Sequence, residues 1–312
     1  MKVGFVFPGQ GSQYVGMGKD IYEDEQDIAG IFTEADETLH FSLSRLCFYG
    51  PEEELTLTTN AQPAILTVSY ALWKLLDNKG IEAHFVAGHS LGEYTALVVS
   101  GAVAFNEAVQ LVRKRGRYMQ EAVPVGQGAM AAIIGLQLDE VDKICMDELK
   151  DKIVSPANYN SQDQVVISGE TNAVNEASER AKIKGAKRVI PLKVSAPFHS
   201  PLMKPAEIKM QEDIYRTVFK DLKIPLFNNV DASLVEVSSE AKKYLIRQIT
   251  APVKWYQIIM NMKAKGVDTF VEIGPGKVLT GLIKRICPDC RTYNIQDRKS
   301  LDETFNSLIE LK

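Results

Sequence analysis

The sequence predicts an α/β fold with a largely parallel sheet and an inserted second lobe, and three observations carry that expectation. Short apolar runs, "VGFVF", "AHFVAG" and "VDTFVEIG", read as strands. The stretches between them read as helices, an alternation that builds parallel sheets covered on both faces. Between residues 126 and 196 the order changes to β-α-β-β-α-β.

From Lys2 to about Pro124 the order is strand, glycine-rich loop, helices, strand, sharp turn, helix. After the glycine-rich break "VGQGAM" come a strand over 129–135, a helix over 138–150 and strands over 153–159 and 164–169. A helix over 171–184 and a strand over 187–194 follow, which completes the ferredoxin-like order. The chain then resumes with helices, the apolar piece "IPLFNNV", another helix, the buried strand "VDTFVEIG" and a helix after "GPGKV". The expected division is 1–125 with 197–312 for the large unit and 126–196 for the inserted lobe.

With 312 residues, 45% hydrophobic and 24% charged, the chain is long enough for a sizeable core. A formal net charge of -4 argues against a general grip on nucleic acid or an anionic membrane. The N-terminal apolar run is too short for a secretory signal, and no apolar run is long enough to span a bilayer, so a cytoplasmic enzyme is expected. Cys47 and Cys145 read as buried thiols. Cys287 and Cys290 in "CPDC" read as an unreactive surface turn, because no second pair exists to complete a zinc site.

The stretch "AGHSLGEY" places Ser90 in a G-x-S-x-G frame between Gly88 and Gly92. With "AHFVAG" before it and a helical stretch after it, the context is that of a nucleophile elbow. The same pattern would also serve as a plain helix N-cap. At the helix N-terminus the N–H of Leu91 is the natural first donor to an oxyanion.

A serine hydroxyl needs a base, and the chain has four histidines. His89 adjoins Ser90 in the turn and should point away from it, while His40 and His84 read as surface or packing residues. His199, in "VSAPFHSPLM" between Pro197 and Pro201, is left as the base. No carboxylate between the two stands out as an orienting third member. Either a backbone carbonyl holds the imidazole tautomer or the carboxylate is not visible in the sequence.

In "NEAVQLVRKRGRYMQ", Ala108, Leu111, Val112, Arg115 and Met119 share one helical stripe. Arg113, Lys114 and Arg117 fall opposite and read as solvated charges. An inward guanidinium needs an anion, because burial without one costs several kcal/mol. That anion is either a protein carboxylate or a carboxylate on the substrate, held by two parallel N–H donors.

Two glycine loops imitate nucleotide motifs and fail on register. "PGQGSQYVGMG" has tyrosine at position 14 where a dinucleotide fingerprint needs its third glycine, so the N–H of Gln10 is read instead as a second oxyanion donor. "GPGKV" lacks the earlier glycine and the following Ser or Thr of a P-loop and reads as a strand-to-helix turn.

Several motifs occur in order along nearly the whole chain: "FPGQGSQ", "AQPA", "GHSLGEY", "RGRYMQ", "NYNS", "VSAPFHSPLM", "APVKW" and "EIGPGKVLTGL". Together they resemble the malonyl-CoA:acyl carrier protein transacylases. The resemblance implies an α/β-hydrolase-like large subdomain with a ferredoxin-like insertion, and malonyl transfer to a carrier for fatty acid or polyketide synthesis. It implies Ser90 as nucleophile, His199 as base, and Gln10 and Leu91 as the oxyanion hole. Arg115, Gln248, Phe198, Asn158 and Asn160 fall on positions around the substrate. Arg115 matches the holder of the malonyl carboxylate, and Gln248 the residue whose main-chain carbonyl orients the histidine. Phe198 resembles members that take malonyl rather than methylmalonyl groups. No metal or redox cofactor is implied. The partners implied are malonyl-CoA and an acidic acyl carrier protein, for which Lys182, Lys184, Lys187, Arg188 and Lys204 would be a landing surface. A monomer is expected.

Overall fold

A computed structural model describes residues 1–149, 152–192, 194 and 196–311. Among the described residues ten strands form two sheets: β1 Val3–Phe7, β2 Phe85–Gly88, β3 Gly128–Ile134, β4 Val154–Ser161, β5 Gln164–Glu170, β6 Arg188–Pro191, β7 Leu226–Phe227, β8 Leu234–Val235, β9 Thr269–Ile273 and β10 Arg291–Ile295. The first sheet has the order β10-β9-β1-β2-β7-β8. It is parallel throughout except for the β7–β8 edge pair.

Every residue of β1, β2 and β9 is buried, as a sheet covered on both faces requires. Alternate residues point to opposite sides. Val3, Phe5 and Phe7 enter the larger core with the helices Thr58–Asn78, Gly92–Val99 and Phe105–Glu121. Val6, Ala87 and Phe270 enter a second core with the helices Trp255–Ala264 and Val278–Ile286.

The second sheet has the order β4-β5-β3-β6 and is antiparallel throughout, the arrangement expected from the β-α-β-β-α-β reading. One face of it packs under the helices Leu138–Asp142 and Thr171–Ile183. Met130, Ala132, Ala157 and Val166 on the other face join the larger core. Main-chain bonds Tyr159 N to Val253 O, 2.9 Å, and Val253 N to Ala157 O, 2.8 Å, tie β4 to the first sheet's side of the molecule.

Several expectations need correction. The helix expected over 138–150 is an α-helix to Asp142 that continues as a π-helical segment Lys143–Glu148, and Lys150 lies outside the described residues. The strand expected over 187–194 ends at Pro191; Lys193, and Ser195 of the "VSAPFHSPLM" motif, also lie outside them. Cys287 and Cys290 are joined in a disulfide, and Cys287 is fully buried, so "CPDC" is not an open surface turn. Lys114 pairs with Asp213 at 2.5 Å. Arg113 donates to Asn60 at 3.1 Å and lies over the Phe41 ring, so neither is a freely solvated charge. Cys47 and Cys145 are buried thiols, as expected. Among the described residues no helix is long and apolar enough to cross a membrane.

Candidate active site

Phe7 and Gly88 stand opposite one another at the carboxyl ends of β1 and β2. The loops leaving them therefore run side by side at the sheet edge where open α/β sheets bind ligands. Ser90 adopts a left-handed backbone, φ 52°, between β2 and the helix Gly92–Val99. A Cβ on Gly88 would lie 1.9 Å from the carbonyl carbon of Gly92, and one on Gly92 would lie 2.0 Å from the carbonyl oxygen of Phe7. Backbone cannot move aside as a side chain can, so both positions require glycine.

The left-handed serine costs about 1–2 kcal/mol, and buried hydrogen bonds from Asn229 hold it. Its Oδ1 accepts the Ser90 N–H at 2.7 Å, and its Nδ2 donates to the Gly88 carbonyl at 2.7 Å.

His199 also has a left-handed backbone, φ 56°, and is almost wholly buried. Nδ1 lies 2.8 Å from the main-chain carbonyl of Gln248. A carbonyl only accepts, so Nδ1 carries the proton and the lone pair of Nε2 faces Ser90 Oγ, 2.7 Å away. Burial, then the Arg115 charge, pushes the imidazole down to about 3, so it is neutral at ordinary pH. Of the two alternatives left open by the sequence, the orienting group is thus a carbonyl, that of Gln248, as the resemblance implies. The Gln248 side chain is wholly buried behind the serine and does not line the cleft.

Arg115 is 2% exposed. Nη1 donates to Gln62 Oε1 at 2.8 Å; Nη2 donates to Gln248 Oε1 at 2.9 Å and to Ser90 Oγ at 3.0 Å. Nε has no hydrogen-bond partner among the described residues. No described carboxylate forms a direct ion pair with this guanidinium; the buried Glu93 carboxylate acts on it only through the Gln248 amide and at a distance. Gly116 makes the neighbouring contact possible: a Cβ there would lie 2.6 Å from the Thr58 carbonyl oxygen, so the helix Phe105–Glu121 comes close enough for Arg115 to meet Gln62.

A cavity of about 170 Å³ opens on this group, lined among others by Gln10, Ser90, Leu91, Arg115, Phe198 and His199. Met119, Met130, Leu192 and Val194 give it apolar walls that exclude water and strengthen charge interactions. The N–H groups of Gln10 and Leu91 have no acceptor among the described residues, and the Gln10 side chain anchors its loop on Thr58 at 3.0 Å. Two free N–H groups beside a serine–imidazole pair suit a tetrahedral oxyanion. Asn158 lines this cavity and, with Asn160, a neighbouring one of about 270 Å³ that shares Gln10, His89 and Leu192. His89 points away from the serine, as expected, and donates Nε2–H to Asn160 Oδ1 at 2.9 Å.

Three buried residues of this constellation, Gln62, Glu93 and Asn229, were not singled out from the sequence. Gln62 sits in "AQPA" beside Pro63, and a polar residue among buried helical neighbours was a usable signal. Asn229 follows two-residue β7, where nothing local marks its partner 139 positions away.

The acyl transferase domain family model matches residues 4–297. The malonyl CoA-acyl carrier protein transacylase of Bacillus subtilis is 48% identical over 99% of this chain and 98% of its own length. Among solved structures, an acyl carrier protein S-malonyltransferase from Vibrio cholerae is 44% identical with a TM-score of 0.95, covering 97% of this chain and 100% of its own. A malonyl-transacylase solved in complex with its type II PKS acyl-carrier protein is 42% identical with a TM-score of 0.96, over 98% of this chain and 100% of its own. A serine elbow set in this fold, and likeness that runs from one end of the sequence to the other, lead to one conclusion: the chain belongs to the acyl transferase domain family.

Proposed function

We propose that this protein transfers a malonyl group from malonyl-CoA to the phosphopantetheine thiol of an acyl carrier protein, through an ester on Ser90. The observation that carries the reading is the buried Arg115 cation, 3.0 Å from Ser90 Oγ and with no described carboxylate in direct contact. An acyl group that ends in its own carboxylate supplies the missing anion and lies with its thioester against the hydroxyl.

Neutral His199 takes the Ser90 proton on Nε2 as Oγ attacks the thioester carbonyl. The N–H groups of Gln10 and Leu91 hold the oxyanion. As it collapses, the C–S bond breaks and the proton passes from His199 to the departing CoA thiolate. The ester persists until the carrier's thiol gives its proton to His199 and attacks the same carbonyl, which returns the proton to Ser90 and leaves the malonyl thioester on the carrier. Asn158 and Asn160 line the cavities beside the serine, where the pantetheine arm would lie, and Phe198, which lines the first of them, would narrow the space at the α-carbon. The exposed side chains Lys182, Lys184, Lys187, Arg188 and Lys204 are the landing surface for an acidic carrier. The large unit is 1–125 with 197–312 and the inserted lobe 126–196; a cytoplasmic monomer that uses no nucleic acid, membrane, metal or redox cofactor goes with this reading.

Fatty acid synthesis is the main setting. Polyketide synthesis is the alternative, favoured by the relative that is named as the partner of a type II PKS carrier. The test is carrier dependence. With malonyl-CoA and holo-carrier, malonyl groups appear on the carrier thiol. Release of free malonate at an undiminished rate without carrier would instead mark a hydrolase.

A further inference from the structure

Glu93, the second residue of the helix that follows the elbow, is 1% exposed and has no part in the proton path above. Its Oε2 accepts from Gln248 Nε2 at 2.7 Å and from the Asn229 N–H at 3.1 Å. The same Gln248 amide donates to the Ser90 carbonyl at 3.0 Å and receives Arg115 Nη2 on Oε1 at 2.9 Å.

A carboxamide presents an acceptor at one end and donors at the other. A carboxylate only accepts, so Glu93 fixes the NH₂ end toward itself and the oxygen toward Arg115. Turned over, the amide would point its N–H bonds at the guanidinium, leave Arg115 Nη2 without that acceptor, and set Oε1 against the Ser90 carbonyl and the Glu93 carboxylate, which only accept. A buried cation and a buried anion are thereby linked through one neutral amide, with no direct ion pair to compete with a substrate carboxylate.

We infer that Glu93 is a positioning residue: through the side chain of Gln248 it holds Arg115 with Nη2 turned to Ser90, and so sets the preference for acyl donors that carry a free carboxylate. The inference rests on the malonyl-transfer reading. Burial raises the Glu93 carboxyl to about 7. Arg115 on the helix Phe105–Glu121 is the charge that opposes this, and the ionisable neighbours in the same cluster are Tyr94 on its own helix, His89 in the elbow and His199. His199 stays neutral far below that range, and burial lowers His89 too, so the charge that appears on this cluster near neutrality is that of Glu93.

The test compares acylation of Ser90 by malonyl-CoA and by acetyl-CoA in the parent and in Glu93→Gln, which can hydrogen-bond Gln248 in either orientation. For malonyl-CoA, kcat/KM falls by about tenfold or more, the scale of one charge-assisted hydrogen bond, mainly through KM. For acetyl-CoA it changes by less than about twofold. In the parent, the malonyl-to-acetyl ratio falls as pH drops through about 7, and in Glu93→Gln it is flat. Equal losses with both donors, or a ratio in the parent that ignores pH, would overturn the inference, and the parent's pH series decides it even where the variant does not fold. A parent that gains no malonyl group at all would instead overturn the transfer reading and the inference with it.

Discussion

Nη2 of Arg115 lies 3.0 Å from the hydroxyl oxygen of Ser90, so the buried cation touches the same atom that lies 2.7 Å from Nε2 of His199. The same nitrogen can serve a carboxylate only a few bonds away from a carbonyl carbon at that oxygen. On the malonyl-transfer reading, this distance suits short dicarboxylic acyl groups.

Removing the cation should separate the two kinds of donor. Arg115→Ala lowers kcat/KM for malonyl-CoA by about 100-fold or more, as expected when a buried ionic contact worth about 3 kcal/mol is lost. Acetyl-CoA is used as well as before or better. Equal loss on both donors, measured side by side, would make the arginine a structural residue.

With acetyl-CoA as donor the rate should not report histidine protonation. Burial holds His199 neutral down to about 3, so acylation stays level from about pH 8 to about pH 5. The sign for stability is the opposite of a paired histidine's. The unfolded chain takes up a proton below the ordinary value of about 6.5 while the folded one does not, so stability is full above that value and declines as pH falls from it toward 3. An activity profile that is halved near pH 6.5 would contradict the buried, neutral imidazole.

Asn229→Ala deletes an acceptor for the part-buried Ser90 N–H and a donor to the buried Gly88 carbonyl. Each orphaned group costs about 1–3 kcal/mol, so the urea midpoint drops and acylation slows together. A variant with unchanged stability would show that the elbow holds its left-handed serine without this clamp.

Much of this was legible in advance because it is local. Strand, turn and helix around Ser90 are contiguous, and the inward stripe that carries Arg115 repeats within a single helix. The glycines of the elbow are local too. What escaped notice depends on contacts between distant segments. Asn229 reaches the serine from 139 positions away, and no periodicity encodes such a meeting; Gln248, 158 positions away, was named through the family resemblance and not from any local pattern. The edge strands β8 and β10 were also missed: β8 has two residues, and β10, "RTYNI", buries only Ile295 fully, so neither shows the apolar run that marked β1 and β9. The polar residues of "CPDC" gave no hint that Cys287 is interior.

Gly116 tests the packing behind the site. Gly116→Ala forces a methyl to within 2.6 Å of the Thr58 carbonyl oxygen. Parting the two helices costs on the order of 1–3 kcal/mol and draws Gln62 away from Arg115, so the melting temperature falls and KM for malonyl-CoA rises. A lower melting temperature with an unaltered KM would show that Gln62 does not help to aim the guanidinium.

The central claim, that Ser90 carries the malonyl group, is tested most directly by intact-protein mass after brief exposure to malonyl-CoA, with Ser90→Ala in parallel. The parent should gain one malonyl unit and lose it when holo-carrier is added, while the variant gains none. A parent whose mass does not change, or a variant that is labelled equally, would contradict the account.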